Sequence, residues 1–419
     1  MIYGINERPK TVGELLLFAI QLVLSVFVAT ALIAQICGVD AGGAFVGAGL
    51  STVVYLLVTK FKSPMFVSNS GAFVAPVLLA LAAGGYTAVA VGGLVTAFVY
   101  CLFGVIFTKI PVENVYKIFP KSLIGAVTVV IGINLMPFIL TYVQIDGQVS
   151  QWGVIVALIT MLAIALISHY AKGIARILPF LLGILFGYAV AVVLTLTGVT
   201  QIVDFSVFKG IGVFAVPNFA FLNWTAVDFK TLVPIIVIYV AYTVSAFMEC
   251  LSDHGSLSGI IGVDLYRTPG LGRIFIGEGL ANIVGTSVGG LGICSYGEGV
   301  ACVGFSKVAS TAVTLTAAII LALLGFIAPV QAFIASIPSC VFAGAAIILY
   351  GFIACSGVKM LQKVNLNEQK NLIIVSAVLS LGISGLVLGG SVISFSATAL
   401  ALIVGVVLNL ILKENKTNG

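Results

Sequence analysis

Charge is what this sequence has least of. Of 419 residues, 8% are Asp, Glu, Lys or Arg, against about 25% in ordinary soluble domains. Histidine and tryptophan each occur twice, and proline 12 times. The seven cysteines, at 37, 101, 250, 294, 302, 340 and 355, stand singly with no CxxC pair. With only two histidines, that spacing excludes a zinc-type ligand pattern and implies no cofactor or metal. Isolated thiols of this kind serve as small apolar packing residues. No nucleophile–base pair emerges either, so an enzyme is not expected. The opening MIYGINERPK is polar and runs straight into an apolar stretch, which argues against a cleavable leader.

Apolar residues fill the space, at 61% of the chain with a mean hydropathy of +1.24. A soluble protein of this size could not hide that surface. A soluble enzyme, a nucleic-acid binder and a disordered scaffold are therefore excluded. The 47 glycines suit close helix packing in lipid. The expected class is an all-α polytopic membrane protein. A bilayer-crossing helix takes about 20 apolar residues, which gives spans near 12–35, 42–59, 65–83, 86–108, 120–143, 151–170, 177–198, 231–252, 270–288, 290–306, 309–329, 335–355, 370–388 and 395–412. With the N-terminus in the cytoplasm, these fourteen spans put 17 of the 19 Lys and Arg on the cytoplasmic side, among them Arg176, Lys413 and Lys416. Only Lys209 and Lys230 fall outside, both in the 199–230 connection. That bias supports the count and places both termini in the cytoplasm.

Two spans read poorly as helices. They open with Met65-Phe-Val-Ser-Asn-Ser-Gly71 and Gly290-Leu-Gly-Ile-Cys-Ser-Tyr-Gly297. Non-helical backbone at membrane depth is tolerated only where protein or a cavity satisfies its polar groups, so these short extended stretches mark a site. They also recur. Gly71 and Gly297 are 226 residues apart, Gln21 and Glu249 are 228 apart, and Gly49-Leu-Ser51 and Gly279-Leu-Ala281 are 230 apart. Seven spans is an odd number, so a duplicated second half enters from the opposite side. The expectation is a 7+7 inverted repeat with its two broken segments meeting near the midplane.

Four acids sit in or at the ends of spans 8 to 10: Glu249, Asp253, Glu278 and Glu298, and the one Lys or Arg within those bounds, Arg273, stands at the cytoplasmic start of span 9. A charge at the bilayer centre costs at least about 2.5–3.5 kcal/mol, which makes each acid a functional candidate. Glu249 and Asp253, at i and i+4, share a helix face, and like charges in a poorly hydrated place favour a bound proton. Glu298 follows Gly297, where span 10 turns helical and exposes backbone N–H groups. A carboxylate beside N–H donors complements an imide edge, in which ring N–H alternates with C=O. His254 is a weaker relay candidate because it points about 100° away from Asp253. Phe73 and Tyr296 flank the broken segments and are candidates for ring stacking.

At these residues the sequence resembles the nucleobase–ascorbate transporters, or xanthine/uracil permeases. Asn6-Glu-Arg-Pro9, Ser70-Gly-Ala-Phe-Val-Ala-Pro76, Asp264-Leu-Tyr-Arg-Thr-Pro-Gly-Leu271, Leu349-Tyr-Gly351 and Ala354-Cys-Ser-Gly357 are similar to family segments. Tyr296-Gly297-Glu298 is similar to the uracil-permease motif of span 10. Asp253 and Glu278 look xanthine-like, where uracil permeases tend to carry His and Asn. The resemblance implies a core domain, 1–110 and 230–330, and a gate domain, 111–229 and 331–419, that also forms a homodimer. It implies a symporter importing a nucleobase, uracil or a xanthine-type purine, with protons across the cell inner (plasma) membrane. Glu249, Glu298, Gly71, Gly297, Phe73 and Tyr296 would bind substrate, and Asp253, Glu278 and His254 would serve proton coupling. The rival is an anion exchanger or channel of the sulfate-transporter type, which shares the fold. Its anion site should not be ringed by Glu249, Asp253 and Glu298.

Overall fold

The computed structural model describes residues 1–412 except 110–113, 115–116, 146–147, 173–174, 176–178, 387, 390–393 and 396. Arg176, Lys413 and Lys416, placed above on the cytoplasmic side, lie outside the described residues. In chain order the first elements are α1 (Val12–Cys37), α2 (Ala41–Val58), β1 (Val67–Asn69), a 3-10 turn (Gly71–Phe73) and α3 (Val74–Lys109). Then come α4 (Lys121–Leu135), α5 (Phe138–Tyr142), β2 (Gln144–Ile145), β3 (Gln148–Val149), α6 (Gln151–Tyr170) and α7 (Pro179–Leu196). The second half holds α8 (Phe229–Ile261), α9 (Leu271–Val288), β4 (Ile293–Ser295), α10 (Gly297–Ser306), α11 (Thr311–Leu324) and α12 (Ala328–Ser336). It ends with α13 (Ser339–Leu361), α14 (Gln369–Ile383), β5 (Leu388–Gly389), β6 (Ser394–Phe395) and α15 (Ala397–Ile411). Among the described residues, seven helices are long and apolar enough to cross a membrane, and the chain is an all-α polytopic membrane protein.

Local chemistry sets the boundaries. Thr11 accepts from the Glu14 N–H to start α1, and Gly38, at φ 65°, ends it. Asp40 accepts from the Gly43 N–H to start α2 two residues later. Gly84 and Gly85 interrupt α3, Gly85 at φ 61°, so this one element holds the helical part of the span read at 65–83, from Val74, and the whole span read at 86–108. The structure differs from the hydropathy reading in two places. Helix α8 runs nine residues past 252, through Asp253 and His254, to Gly262 in the left-handed conformation. Polarity there marks a wet or hydrogen-bonded face, not a helix end. A short helix, α12, separates the spans read at 309–329 and 335–355, started by Pro329 and stopped before Pro338.

Two packed groups result. Helices α2, α3, α9 and α11 pack together, with α1 against α11 and α8 against α3. Helices α4, α6, α13, α14 and α15 form the second group, with α7 on α6. Glycine permits both central crossings. A Cβ on Gly104 of α3 would stand 2.8 Å from the Gly272 carbonyl of α9, and one on Gly357 of α13 would stand 2.6 Å from the Gly125 carbonyl of α4.

Candidate functional site

The two non-helical segments meet. Strands β1 and β4 pair antiparallel, with Val67 opposite Ser295, Ser68 opposite Cys294 and Asn69 opposite Ile293. Each satisfies the other's backbone, which is how extended chain survives in an apolar interior. The partner could not be read from either segment alone. Side chains fasten the ribbon to its surroundings. Asn282 of α9 donates to the Ile293 carbonyl at 2.6 Å and accepts from the Ile293 N–H at 2.8 Å. The Thr52 hydroxyl donates to the Val67 carbonyl at 2.6 Å.

Each strand leads directly into a helix. The 3-10 turn at Gly71 follows β1, and α10 begins at Gly297 after β4. Because the strands are antiparallel, the two helices leave in opposite directions and both present their N-terminal ends toward the ribbon. The first N–H groups of such a turn have no intrahelical acceptor and carry positive potential. Three acids stand beside them. Ser70 donates its hydroxyl to Glu249 at 2.9 Å, Ser295 donates its hydroxyl to Asp253 at 3.1 Å, and Glu298 lies in the first turn of α10.

A cavity of about 930 Å³ joins these groups. Its walls include Ser70, Gly71, Glu249, Asp253, Tyr296, Gly297 and Glu298 on one side, and Ile124, Thr128, Ile131, Leu349 and Tyr350 on the other. It therefore lies between the two packed groups. Lys121, Lys359 and Lys363, all exposed, mark its mouth. Six of the nine residues singled out from sequence are on its walls. The other three are not. Phe73 is 1% exposed and stacks on Tyr239, with ring centroids 6.2 Å apart, while its ring fills the space over Gly292. A stacking role for Phe73 gives way to packing under the ribbon.

Glu278 and His254 are fully buried behind the ribbon. Glu278 accepts from the Ser295 N–H at 3.1 Å and from the Cys294 thiol at 3.5 Å. Ser295 thus touches Asp253 through its hydroxyl and Glu278 through its amide. His254 Nδ1 lies 2.8 Å from the Cys250 carbonyl, which can only accept, so Nδ1 carries the hydrogen. Its Nε2 lies 2.7 Å from the Tyr55 hydroxyl, within hydrogen-bond distance. Both ring nitrogens are engaged, and His254 ties α8 to α2. Cys250, His254 and Glu278 bring ligand-type atoms within 4.8 Å of one another. A metal there would have to displace the His254–Cys250 carbonyl contact. Sequence reasoning missed Ser70 and Ser295, although both lie in the broken segments that it marked.

The comparisons with known proteins agree over the length of the chain. A model of the permease family, for xanthine/uracil permeases, matches residues 13–389. The uracil permease of Bacillus caldolyticus is 34% identical, covering 98% of this chain and 94% of that protein. The uracil permease of Bacillus subtilis strain 168 is 32% identical, covering 99% and 95%. Among solved structures, the transmembrane domain of a cyanobacterium bicarbonate transporter, BicA, aligns with a TM-score of 0.62 at 16% identity, covering 97% of this chain and 99% of that one. That likeness concerns the fold alone.

Proposed function

The chain belongs to the xanthine/uracil permease family, and from that premise we propose that it is a proton-coupled nucleobase transporter of the inner membrane that imports uracil. One observation carries the reading: Glu249 and Glu298 share a cavity with two helix N-termini, at Gly71 and Gly297. Uracil carries N–H and C=O groups around one ring. The carboxylates accept the ring N–H groups, and backbone N–H groups near Gly71 and Gly297 donate to the carbonyls. Tyr296 borders the ring. Asp253 carries the coupling proton, with Glu278 the second candidate and His254 the third. The same acids disfavour an anion as cargo, because a carboxylate ring repels it.

The architecture proposed for this activity is fourteen spans in a 7+7 inverted repeat. The ribbon supports it. Shifted by 226 residues, Val67, Ser68 and Asn69 become Ile293, Cys294 and Ser295, and the pairing maps onto itself about Ser68 and Cys294. Ser51 also donates to the Ala281 carbonyl, its repeat partner at an offset of 230. Residues 1–110 and 230–330 form the core domain. Residues 111–229 and 331–419 form the gate domain, through which two copies dimerise. Both termini are cytoplasmic, so the lysine-lined mouth opens inward. A neutralised core then moves against the gate around a fixed site.

Competition binding on purified protein tests the cargo, with uracil, xanthine, hypoxanthine, guanine and urate. Uracil should bind tightest. A purine outranking uracil would shift the assignment to the xanthine branch, and binding of none would remove the nucleobase reading.

A further inference from the structure

The cavity exceeds what one ring requires. At about 930 Å³ it approaches the upper end of the roughly 300–1,000 Å³ that holds a drug-sized ligand. Its length can be read from two helices. Ile131 and Lys121 both line it from α4, ten residues apart, which is about 15 Å of helix. Leu349 and Lys359 line it from α13, also ten residues and about 15 Å apart. The two helices run antiparallel, since Gly125 meets Gly357 and Gly132 meets Ala354. The lysines therefore share one end. The opposite end holds Gly71, whose Cβ position lies 3.5 Å from Leu135, and Ser70 bound to Glu249.

The lining is thus ordered along its axis. Glu249 stands beside Ser70 at the end opposite the lysines, and Asp253 follows one turn along α8. On α8, Ser252 and Ser256 also line the cavity, and Ser256 is seven residues past Glu249, about 10 Å along the helix. Thr128 lines it from α4. Three ammonium groups, Lys121, Lys359 and Lys363, stand at the mouth, and none has an ion-pair partner among the described residues. Acceptor, hydroxyl and cation follow one another over the length of a base, a ribose and a phosphate.

We propose that this cavity binds a nucleoside 5′-monophosphate of the cargo base from its lysine-lined side, and that such binding arrests transport. The proposal rests on the nucleobase reading above. The base sits at Glu249 and Glu298, the ribose hydroxyls lie among Ser252, Ser256 and Thr128, and the phosphate meets Lys359, Lys363 and Lys121. The glycosylated ring nitrogen has no hydrogen to donate, so the base is held less well than the free base. The phosphate supplies the difference. The carboxylates belong to α8 and α10 and the lysines to α4 and to the C-terminal end of α13 and the residues just after it, so one bound molecule ties the two packed groups together. A ligand that prefers the inward-open arrangement holds the protein there.

Isothermal titration of the purified full-length protein with uridine 5′-monophosphate tests this directly, with uridine, ribose 5-phosphate and inorganic phosphate as controls. The monophosphate should bind at least tenfold tighter than any control. A Lys359→Ala/Lys363→Ala double variant should lose at least tenfold of that affinity and keep its uracil affinity, and the Lys→Arg pair should retain both. In proteoliposomes, monophosphate sealed inside should slow uracil counterflow in the parent protein and not in the alanine variant. Equal binding of uridine, equal binding of inorganic phosphate, or no effect of the alanine pair would each overturn the proposal. Absence of uracil binding by the parent protein, with lysine-dependent monophosphate binding intact, would overturn the transport reading and the arrest with it, and leave only the monophosphate site standing.

Discussion

The hydroxyl of Ser70 donates to the carboxylate of Glu249 at 2.9 Å, across 179 residues of sequence. The same oxygen accepts from the Ala72 N–H at 3.1 Å, so one side chain caps the turn after β1 and fixes an acid on α8. The Ser70 bond thus fixes the Glu249 carboxylate at the cavity wall. Ser70→Ala should leave Glu249 free to rotate and lower uracil affinity about fivefold, the equivalent of one hydrogen bond of about 1 kcal/mol. Ser70→Thr should keep the parent affinity. Titration of both variants decides it, and equal affinities for the two would remove the positioning role.

Glu298→Gln keeps the size of the side chain and removes the charge of the acceptor. A charge-assisted hydrogen bond contributes roughly 1.5–3 kcal/mol, so affinity should fall about ten- to a hundredfold. Titration with uracil measures it. An unchanged affinity would take Glu298 out of the site.

A side chain at 297 has room in the fold and not in the site. A Cβ built on Gly297 meets only Asp253 Oδ1, at 3.8 Å, so nothing in the packing opposes it. Gly297→Val should therefore express and fold like the parent while its branched side chain blocks the approach of the base. Thermal unfolding and ligand titration on one preparation separate the two effects. Normal binding by this variant would show that the base does not approach that backbone.

The sequence made legible those parts of the site where residue type conflicts with solvent. Met65–Gly71 and Gly290–Gly297 stood out because they read poorly as helices and non-helical backbone is costly at membrane depth, and both contain the strands that pair. Glu249 and Asp253 stood out as unpaired acids one turn apart. That the two segments meet followed from their offset of 226 residues, but the antiparallel register was hidden, because a three-residue strand carries no record of which partner residue it faces. Ser70 and Ser295 were hidden for a related reason: a serine's role depends on what lies 3 Å from its hydroxyl. Lys121, Lys359 and Lys363 were read as cytoplasmic flanks, and only the folded walls place them around one mouth. The short helix α12 was lost because its proline-bounded nine residues lie between two longer apolar runs.

Coupling should be separable from recognition at Asp253. It lines the cavity one turn from Glu249, and its carboxylate accepts from Ser295, whose amide also holds Glu278. Among the described residues the cations of α8 and α9 are Lys230 and Arg273, each in the first turn of its helix, and α10 has none, so a proton is the available counter-charge beside Asp253. Asn at 253 imitates the protonated acid permanently. The Asp253→Asn protein should still bind uracil and exchange it across the membrane, because its site can be presented neutral on either side. It should not concentrate uracil on an imposed gradient, because no proton is taken up or released in the cycle. Proteoliposomes assayed for counterflow, and then for uptake driven by an acid exterior, measure the two steps on one preparation. Asp253→Asn should keep the first and lose the second, whereas Glu249→Gln should lose both. Undiminished acid-driven accumulation by Asp253→Asn would move the coupling site to Glu278, the acid reached through Ser295, and the paired assay on Glu278→Gln would then follow.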